Sequence, residues 1–252
     1  MNKIINYNHK LRQEFLERGF FLIKNFFSKS DINILNREIK LAKDVDKYLD
    51  SYGKIRRIEK LYNKGIKLNK INNKILEKLN EIFEEPYTIF KDKFNAKPPG
   101  GEGFFAHYDG VFTFKDKKNQ KRIGWYEYGI YFVNVLVALD VCNKENGTIE
   151  ISNIHKGSFD DLILKTKNNG TPELLDKIEK KLTFHSIKMN IGDLVFFSNQ
   201  CPHRSAKNLS KKSRRTLYYT YTPKKFGSFY QEYFNDKKNS KNNKDKSLSN
   251  KE

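Results

Sequence analysis

From residue 89 onward the chain is written in short β-prone runs, each closed by Gly, Pro, Asn or charged side chains. The runs are Ile89–Lys97, Phe104–His107, Tyr128–Leu139, Thr148–Ile151, Leu182–Lys188, Asp193–Phe197 and Arg215–Tyr221, with one helical insertion at Pro172–Lys180. Strands at such spacing, following helices, predict a mainly β fold: one sandwich or barrel flanked by helices. The preceding part reads differently. A helix over Asn8–Arg18 ends at Gly19, and the apolar run Phe20-Phe21-Leu22-Ile23 is a short strand. Ser28 or Ser30 then caps a helix over Asp31–Lys43 that gathers Ile32, Leu35, Ile39 and Leu41 on one side. The basic stretch Asp44–Lys70 is weakly patterned and reads as a loop with a short helix, and Ile71–Phe83 is helical up to Pro86. No internal repeat is visible.

Composition excludes several classes. Aromatic content of 14% is far too high for a disordered chain. No run reaches the ~18 apolar residues of a membrane helix, and the first fifteen residues lack the apolar stretch of a secretory signal. Cys142 and Cys201 make no disulfide framework. A soluble cytoplasmic protein is expected, with no membrane partner. The net charge is +19, carried mostly by Lys in a sequence also rich in Asn and Ile. Those three residue types share A/T-rich codons, so the charge reads as a solvated surface. A nucleic-acid partner is not expected, and an anionic small substrate is favoured. From Asp236 the chain has six Lys against three acids and no aromatic residue. It is expected as a disordered basic tail behind a single domain over residues 1–235.

Five histidines occur, and two carry a pattern. In His107-Tyr108-Asp109, residues i and i+2 of an extended strand project to one side, so an imidazole and a carboxylate can grip one cation. His203 follows the apolar strand Asp193–Phe197, within Cys201-Pro202-His203-Arg204-Ser205. Two His and one carboxylate make the facial triad of non-haem Fe(II) oxygenases, with three positions left open. Alone the pattern is weak: turns often carry His-x-Asp, and a His at a strand end is more often a hydrogen-bonded structural residue. Arg214, eleven residues after His203 and at the start of the last strand, adds a guanidinium able to bind a carboxylate bidentately. By alternation Arg215 faces the other way, so only one of the two can do so.

These residues resemble the phytanoyl-CoA dioxygenase family of Fe(II)/2-oxoglutarate-dependent oxygenases, from about Phe15 to Tyr233. The N-terminal run Phe15–Phe27, Lys97-Pro98-Pro99-Gly100-Gly101 before His107, Asn146-Gly147-Thr148, and His155-Lys156-Gly157-Ser158 match family elements. The most specific block is Gly192-Asp193 followed by Pro202-His203-Arg204-Ser205, Asn208, Ser210 and Arg214. The residue between the first His and the Asp is often Gln in the family and is Tyr108 here. The family's Pro-Gly before Ser-His is replaced by Ser152-Asn153-Ile154. The resemblance implies a double-stranded β-helix (a cupin-like jelly-roll) in which His107, Asp109 and His203 bind Fe(II). It also implies 2-oxoglutarate as cosubstrate, with Arg214 on its far carboxylate, O₂ consumed, succinate and CO₂ released, and a C–H bond hydroxylated.

Further cosubstrate or substrate contacts are expected at Ser205, Lys93, Asn134 and Tyr108. Lys93, Asn95 and Lys97 share one side of their strand, and Asn134 is a polar residue inside an apolar strand. Trp125, Tyr126 and Tyr128 are either a lid or core, while His155, His185 and Cys201 read as structural. The terminal block from Arg214 looks like members acting on small polar metabolites, phosphonate hydroxylases included. Lys93, Lys97, Lys115, Lys121 and Arg122 would suit an anionic substrate such as a phosphonate. Two other functions stand beside it: an oxygenase acting on nucleic acid or a protein side chain, and a non-catalytic basic binding protein on the same scaffold.

Overall fold

A computed structural model describes residues 2–50, 53–116 and 118–239. The chain opens with α1 (Asn2–Arg18), β1 (Phe20–Ile23), α2 (Lys29–Leu41), β2 (Asp46–Leu49), β3 (Ile55–Glu59) and α3 (Ile66–Phe83). It continues with β4 (Tyr87–Lys97), β5 (Phe104–His107), a small hairpin of β6 (Phe114–Lys115) and β7 (Lys121–Arg122), then β8 (Val133–Ala138) and β9 (Ile149–Ile151). Two short helices follow, α4 (Phe159–Ile163) and α5 (Asp176–Glu179). The last elements are β10 (His185–Ser186), β11 (Leu194–Ser198), β12 (His203–Ser205), β13 (Arg214–Pro223) and α6 (Tyr230–Asn239). Among the described residues, no helix is long and apolar enough to cross a membrane.

The strands form a seven-stranded sheet, β1-β11-β8-β13-β4-β3-β2, and a four-stranded sheet, β10-β9-β12-β5, with antiparallel pairing. Strand alternation divides the apolar side chains between two cores. Val133, Val135 and Val137 of β8, Leu194 and Phe196 of β11, and Leu217, Tyr219 and Tyr221 of β13 pack under α1, α2 and α3. Leu136, Ala138, Val195 and Phe197 point the other way, onto Ile149 and Ile151 of the smaller sheet. The long sheet is thus covered on both sides, which is why β8 reads as an unbroken apolar run.

α2 begins one turn earlier than its apolar pattern because Ser28 and Asp31 form a capping box. Three segments depart from expectation. The stretch 44–70 contains the β2–β3 hairpin, whose half-exposed, charged strands carry little apolar signal. The run Tyr128–Leu139 is strand only from Val133, with a 3₁₀ turn over Gly124–Glu127 before it. The basic segment expected to be disordered is helical at its start. Asp236 accepts from the Tyr128 hydroxyl at 2.7 Å, and Lys237 reaches buried Glu59 at 2.7 Å. Residues 240–252 lie outside the described residues.

Candidate active site

β5 and β12 are neighbours in the smaller sheet, with His107 directly opposite His203. Cross-strand partners project to one side, and the two imidazole centroids lie 4.2 Å apart. Asp109 follows in the turn after β5, its backbone N–H on the Asn199 carbonyl at 3.1 Å. One Asp109 oxygen lies 3.5 Å from His203 Nε2. Ligand atoms of His107, Asp109 and His203 all fall within 4.8 Å of one another.

Both imidazoles are fixed by their own strands. His107 Nδ1 meets the Phe105 carbonyl at 2.8 Å, and His203 Nδ1 meets the Cys201 carbonyl at 3.0 Å. A carbonyl only accepts, so each Nδ1 carries the proton and each Nε2 keeps a lone pair. Burial, reinforced by His203, pushes His107 down to about 3. His203 is pushed down too, mainly by burial. Burial alone would raise the Asp109 carboxyl, but His203, Lys93 and His107 outweigh it and hold it below the ordinary range. Two neutral imidazole donors and one carboxylate are a donor set that fits a divalent iron with open positions.

The polar residue of β8 explains itself here. Asn134 Nδ2 donates to Asp109 Oδ2 at 2.9 Å, and Asn134 Oδ1 accepts from the Thr220 hydroxyl at 2.8 Å. The amide is therefore a brace for the carboxylate rather than a free contact for a small molecule. Tyr108 also differs from expectation. Alternation turns it away from His107 and Asp109, into a cluster with Ala106, Val111, Leu162 and Leu174. Its hydroxyl bonds His155 Nδ1. That position serves packing, and the ring is fully buried there.

Arg214 opens β13 opposite Lys97 of β4 and is 4% exposed. Its Nε has no hydrogen-bond partner among the described residues. Arg215 faces the other way and is spent on Asp140, at 2.7 and 2.8 Å. Arg56, Arg57, Asn95, Lys97, Phe104 and Arg214 line one small cavity. A buried guanidinium with an orphaned N–H among other cations calls for an anion. Ser205 sits beside this group, its Oγ accepting from Lys97 Nζ at 2.8 Å. Lys93 lies on the same side of β4, 4.8 Å from the Tyr218 ring centroid. Burial and Lys91 bring Lys93 down to about 8.

Other expected residues fall elsewhere. Trp125 and Tyr128 are core, packed with Phe90 and Phe132, whereas the Tyr126 hydroxyl accepts from Asn199 and Gln200. Arg122 faces Asp116, Glu127 and Asp236, so its charge is already balanced. Lys115 and Lys121 are exposed on the β6–β7 hairpin. Cys201 is buried, its thiol pushed up mainly by burial. Arg56, Arg57, Thr220 and Asn199 join the site without having been singled out from sequence. For Thr220 the available signal was its place on the same side of β13 as Arg214.

The family model for phytanoyl-CoA dioxygenase matches residues 15–216. A 2-aminoethylphosphonate dioxygenase from the uncultured bacterium HF130_AEPn_1 is 32% identical over 178 residues, covering 70% of this chain and 62% of that protein. A methylphosphonate hydroxylase from Gimesia maris is 29% identical over 180 residues, covering 71% and 62%. The chain thus spans under two thirds of the length of these relatives. Among solved structures, EctD from S. alaskensis with 2-oxoglutarate and 5-hydroxyectoine superposes with a TM-score of 0.65 at 14% identity, covering 85% of this chain and 75% of that one. The epimerase SnoN with Fe³⁺, α-ketoglutarate and nogalamycin RO gives 0.65 at 13%, covering 86% and 84%. At that identity the likeness shows the fold: the jelly-roll core with helices on one side.

Proposed function

We infer a function from one premise: the chain belongs to the phytanoyl-CoA dioxygenase family. On this reading it is an Fe(II)- and 2-oxoglutarate-dependent dioxygenase that hydroxylates a C–H bond of a small anionic molecule. The observation that carries it is the convergence of His107, Asp109 and His203 from two paired strands and the turn beyond one of them, each buried or nearly so. His107 and His203 would hold the iron through Nε2, and Asp109 through a carboxylate oxygen. When bound, iron with 2-oxoglutarate and O₂ supplies the oxidising power for the C–H bond, with succinate and CO₂ as co-products.

The chain's own residues set the conditions for that chemistry. The Phe105 and Cys201 carbonyls hold both imidazoles in the ligating tautomer. Asn134, steadied by Thr220, fixes the carboxylate rotamer. Arg214 offers its unpartnered Nε–H to the far carboxylate of the keto diacid. Phe197 and Phe105 pack against the imidazoles and keep the surroundings apolar. Lys93 makes no hydrogen-bonded ion pair among the described residues and faces the same interior, with Asp109 the nearest opposing charge within the site, so an anionic substrate group would balance it further. Two relatives carry names that mention phosphonates, so small phosphonates are the first class to try.

The test has two stages. Anaerobic addition of Fe(II) and 2-oxoglutarate to the folded chain should produce a weak visible charge-transfer band, and none in His107→Ala. Small phosphonates should then stimulate succinate release above the uncoupled rate, with amino acids and an oligonucleotide as comparison arms. A folded chain that yields no band refutes the oxygenase reading, and succinate stimulated only by the oligonucleotide refutes the small-molecule substrate.

A further inference from the structure

Lys91 of β4 is buried, and among the described residues its ammonium meets no carboxylate at ion-pair distance. What it meets is aromatic. Nζ stands 4.6 Å from the Trp125 ring centroid and 5.3 Å from that of Tyr233, and it donates to the Tyr233 hydroxyl at 3.3 Å. Ring faces attract a cation without cancelling its charge. An ammonium has no lone pair, so Tyr233 accepts and keeps its own proton to donate.

Strand register puts this group beside the metal ligands. Asn134 of β8, which braces Asp109, is opposite Thr220 of β13, and Thr220 is opposite Lys91. Cross-strand partners share one side of a sheet, and Asp109 feels the charge of Lys91. Two residues on, Lys93 lies between Tyr218 and Glu59. Arg57 and Lys237 also face Glu59. Four cations (Lys91, Lys93, Arg57 and Lys237) thus stand against two acids (Glu59 and Asp109), an excess of two positive charges. A ferrous ion and a doubly ionised keto diacid cancel each other and leave that excess in place. Buried charge without a counter-charge is costly.

Tyr233 comes from α6, which lies after residue 216, the last that the family model matches. The helix is fixed on both flanks: Asp236 accepts from Tyr128 at 2.7 Å and faces Arg122, and Lys237 reaches Glu59 at 2.7 Å. Tyr233 also packs on Phe90, in the cluster that holds Trp125. We propose that α6 completes the substrate site: Tyr233 and Trp125 present the Lys91 ammonium, with Lys93 beside it, to a tetrahedral dianionic head group of the substrate. This deepens the oxygenase reading, on which the reacting centre at Asp109 rests. The two ammoniums and the Tyr233 hydroxyl are donors from two elements, so they serve different oxygens of one head group. A monoanion would leave one positive charge unanswered.

Trp125 is the chain's one tryptophan, so its fluorescence reads this site directly and without metal. The metal-free full chain is titrated at pH 7 and low salt with methylphosphonate, with methyl phosphate, and with dimethyl phosphate, a monoanion of similar shape. A phosphate monoester is largely a dianion at this pH. At least one of the first two should change the emission saturably, and the tighter one tells a phosphonate from a phosphate ester. Dimethyl phosphate should bind at least about tenfold more weakly than that one. Lys91→Met should raise its Kd roughly 10–100-fold, the scale of a charge-assisted hydrogen bond, and Tyr233→Phe, which keeps the ring, about 3–10-fold. Lys115→Met, on the exposed β6–β7 hairpin, should leave Kd unchanged. No saturable change with either of the first two probes, or equal affinity for dimethyl phosphate, overturns the proposal. So does an unchanged Kd in Lys91→Met, which marks anion binding elsewhere on the basic surface. If Lys91→Met does not fold, as judged by circular dichroism, Tyr233→Phe decides, and unchanged affinity there overturns it. A charge-transfer band with Fe(II) and 2-oxoglutarate but no probe binding refutes this proposal alone. Probe binding without that band refutes the oxygenase reading and leaves the anion site standing.

Discussion

Asp109 has one oxygen that serves two neighbours: Oδ2 accepts the Asn134 amide at 2.9 Å and lies 3.5 Å from His203 Nε2. Without the amide the carboxylate can rotate, and the Thr220 hydroxyl loses its acceptor in a fully buried place. Residues that orient metal ligands typically contribute 10–100-fold to metal affinity or activity. Asn134→Ala should therefore weaken Fe(II) binding by about that factor in anaerobic titration, and an unchanged affinity would remove Asn134 from the site. Arg214→Ala should do the reverse, raising the 2-oxoglutarate Kd roughly 10–100-fold while leaving Fe(II) affinity nearly unchanged. Parallel titrations of both ligands separate these roles. The two residues also differ in how far the sequence reveals them. Arg214 is distinguished from Arg215 by parity alone, and Arg215 does turn away to Asp140. The same parity places Tyr108 opposite its two neighbours, so it packs away from the cosubstrate side on which it was expected. For Asn134, sequence shows that a polar group inside an apolar strand needs a partner, but the partner, Asp109, is 25 residues away and only the fold brings it near.

Elements that bury an apolar stripe are legible, and those held by polar tertiary contacts are not. β5 emerges at the boundaries expected from sequence, and β8, β11 and β13 each appear within a few residues of their apolar runs, because both sides of the long sheet are covered. The β2–β3 hairpin and α6 escape notice because their anchors are charged pairs. Glu59 of β3, 1% exposed, meets Arg57 at 3.3 Å and Lys237 of α6 at 2.7 Å. Asp92 of β4 accepts from the Tyr230 hydroxyl at 2.9 Å. A polar, Lys-rich segment looks like a solvated tail until such partners are known. The expectation of a disordered tail from Asp236 therefore does not hold for residues 236–239. Lys237→Ala should cost about 1–3 kcal/mol in urea unfolding, the scale of a buried acceptor short of one donor, with Arg57 still present to limit the loss. A change below a few tenths of a kcal/mol would mean that the α6 contact is incidental to stability.

At the scale of the whole molecule, the interior holds titratable groups that pull stability in opposite directions with pH. His107 is depressed to about 3 by burial and His203, against an ordinary value of 6.5. Its contribution is fully present above pH 6.5 and is lost as pH falls toward 3, because the unfolded chain takes up the proton first. His203 and Asp109 are lowered as well and act with the same sign. Asp92 is raised by burial to about 6 from an ordinary 3.8, even though Leu61 N–H, Tyr230 and Tyr62 N–H stabilise its charge. A raised carboxyl has the reverse sign: its contribution is fully present below pH 3.8 and is lost as pH rises through 6. Between about pH 6 and 4 the two effects oppose, and the His107 shift is the larger, with His203 beside it; Asp109 adds to the loss only at lower pH. The metal-free chain should therefore lose thermal stability steadily below pH 6.5. Asp92→Asn removes the opposing contribution but keeps one acceptor oxygen where Leu61 N–H and Tyr62 N–H each use their own, so the variant starts less stable and the slope with pH, not the absolute melting temperature, is the readout. Its melting temperature should fall more steeply than wild type between pH 6 and 4, and parallel curves in thermal unfolding would show that Asp92 does not carry the offset. Fe(II) binds the ligand set in its deprotonated form, so added metal should raise both curves most at neutral pH and make them fall more steeply toward acid, where protons displace it.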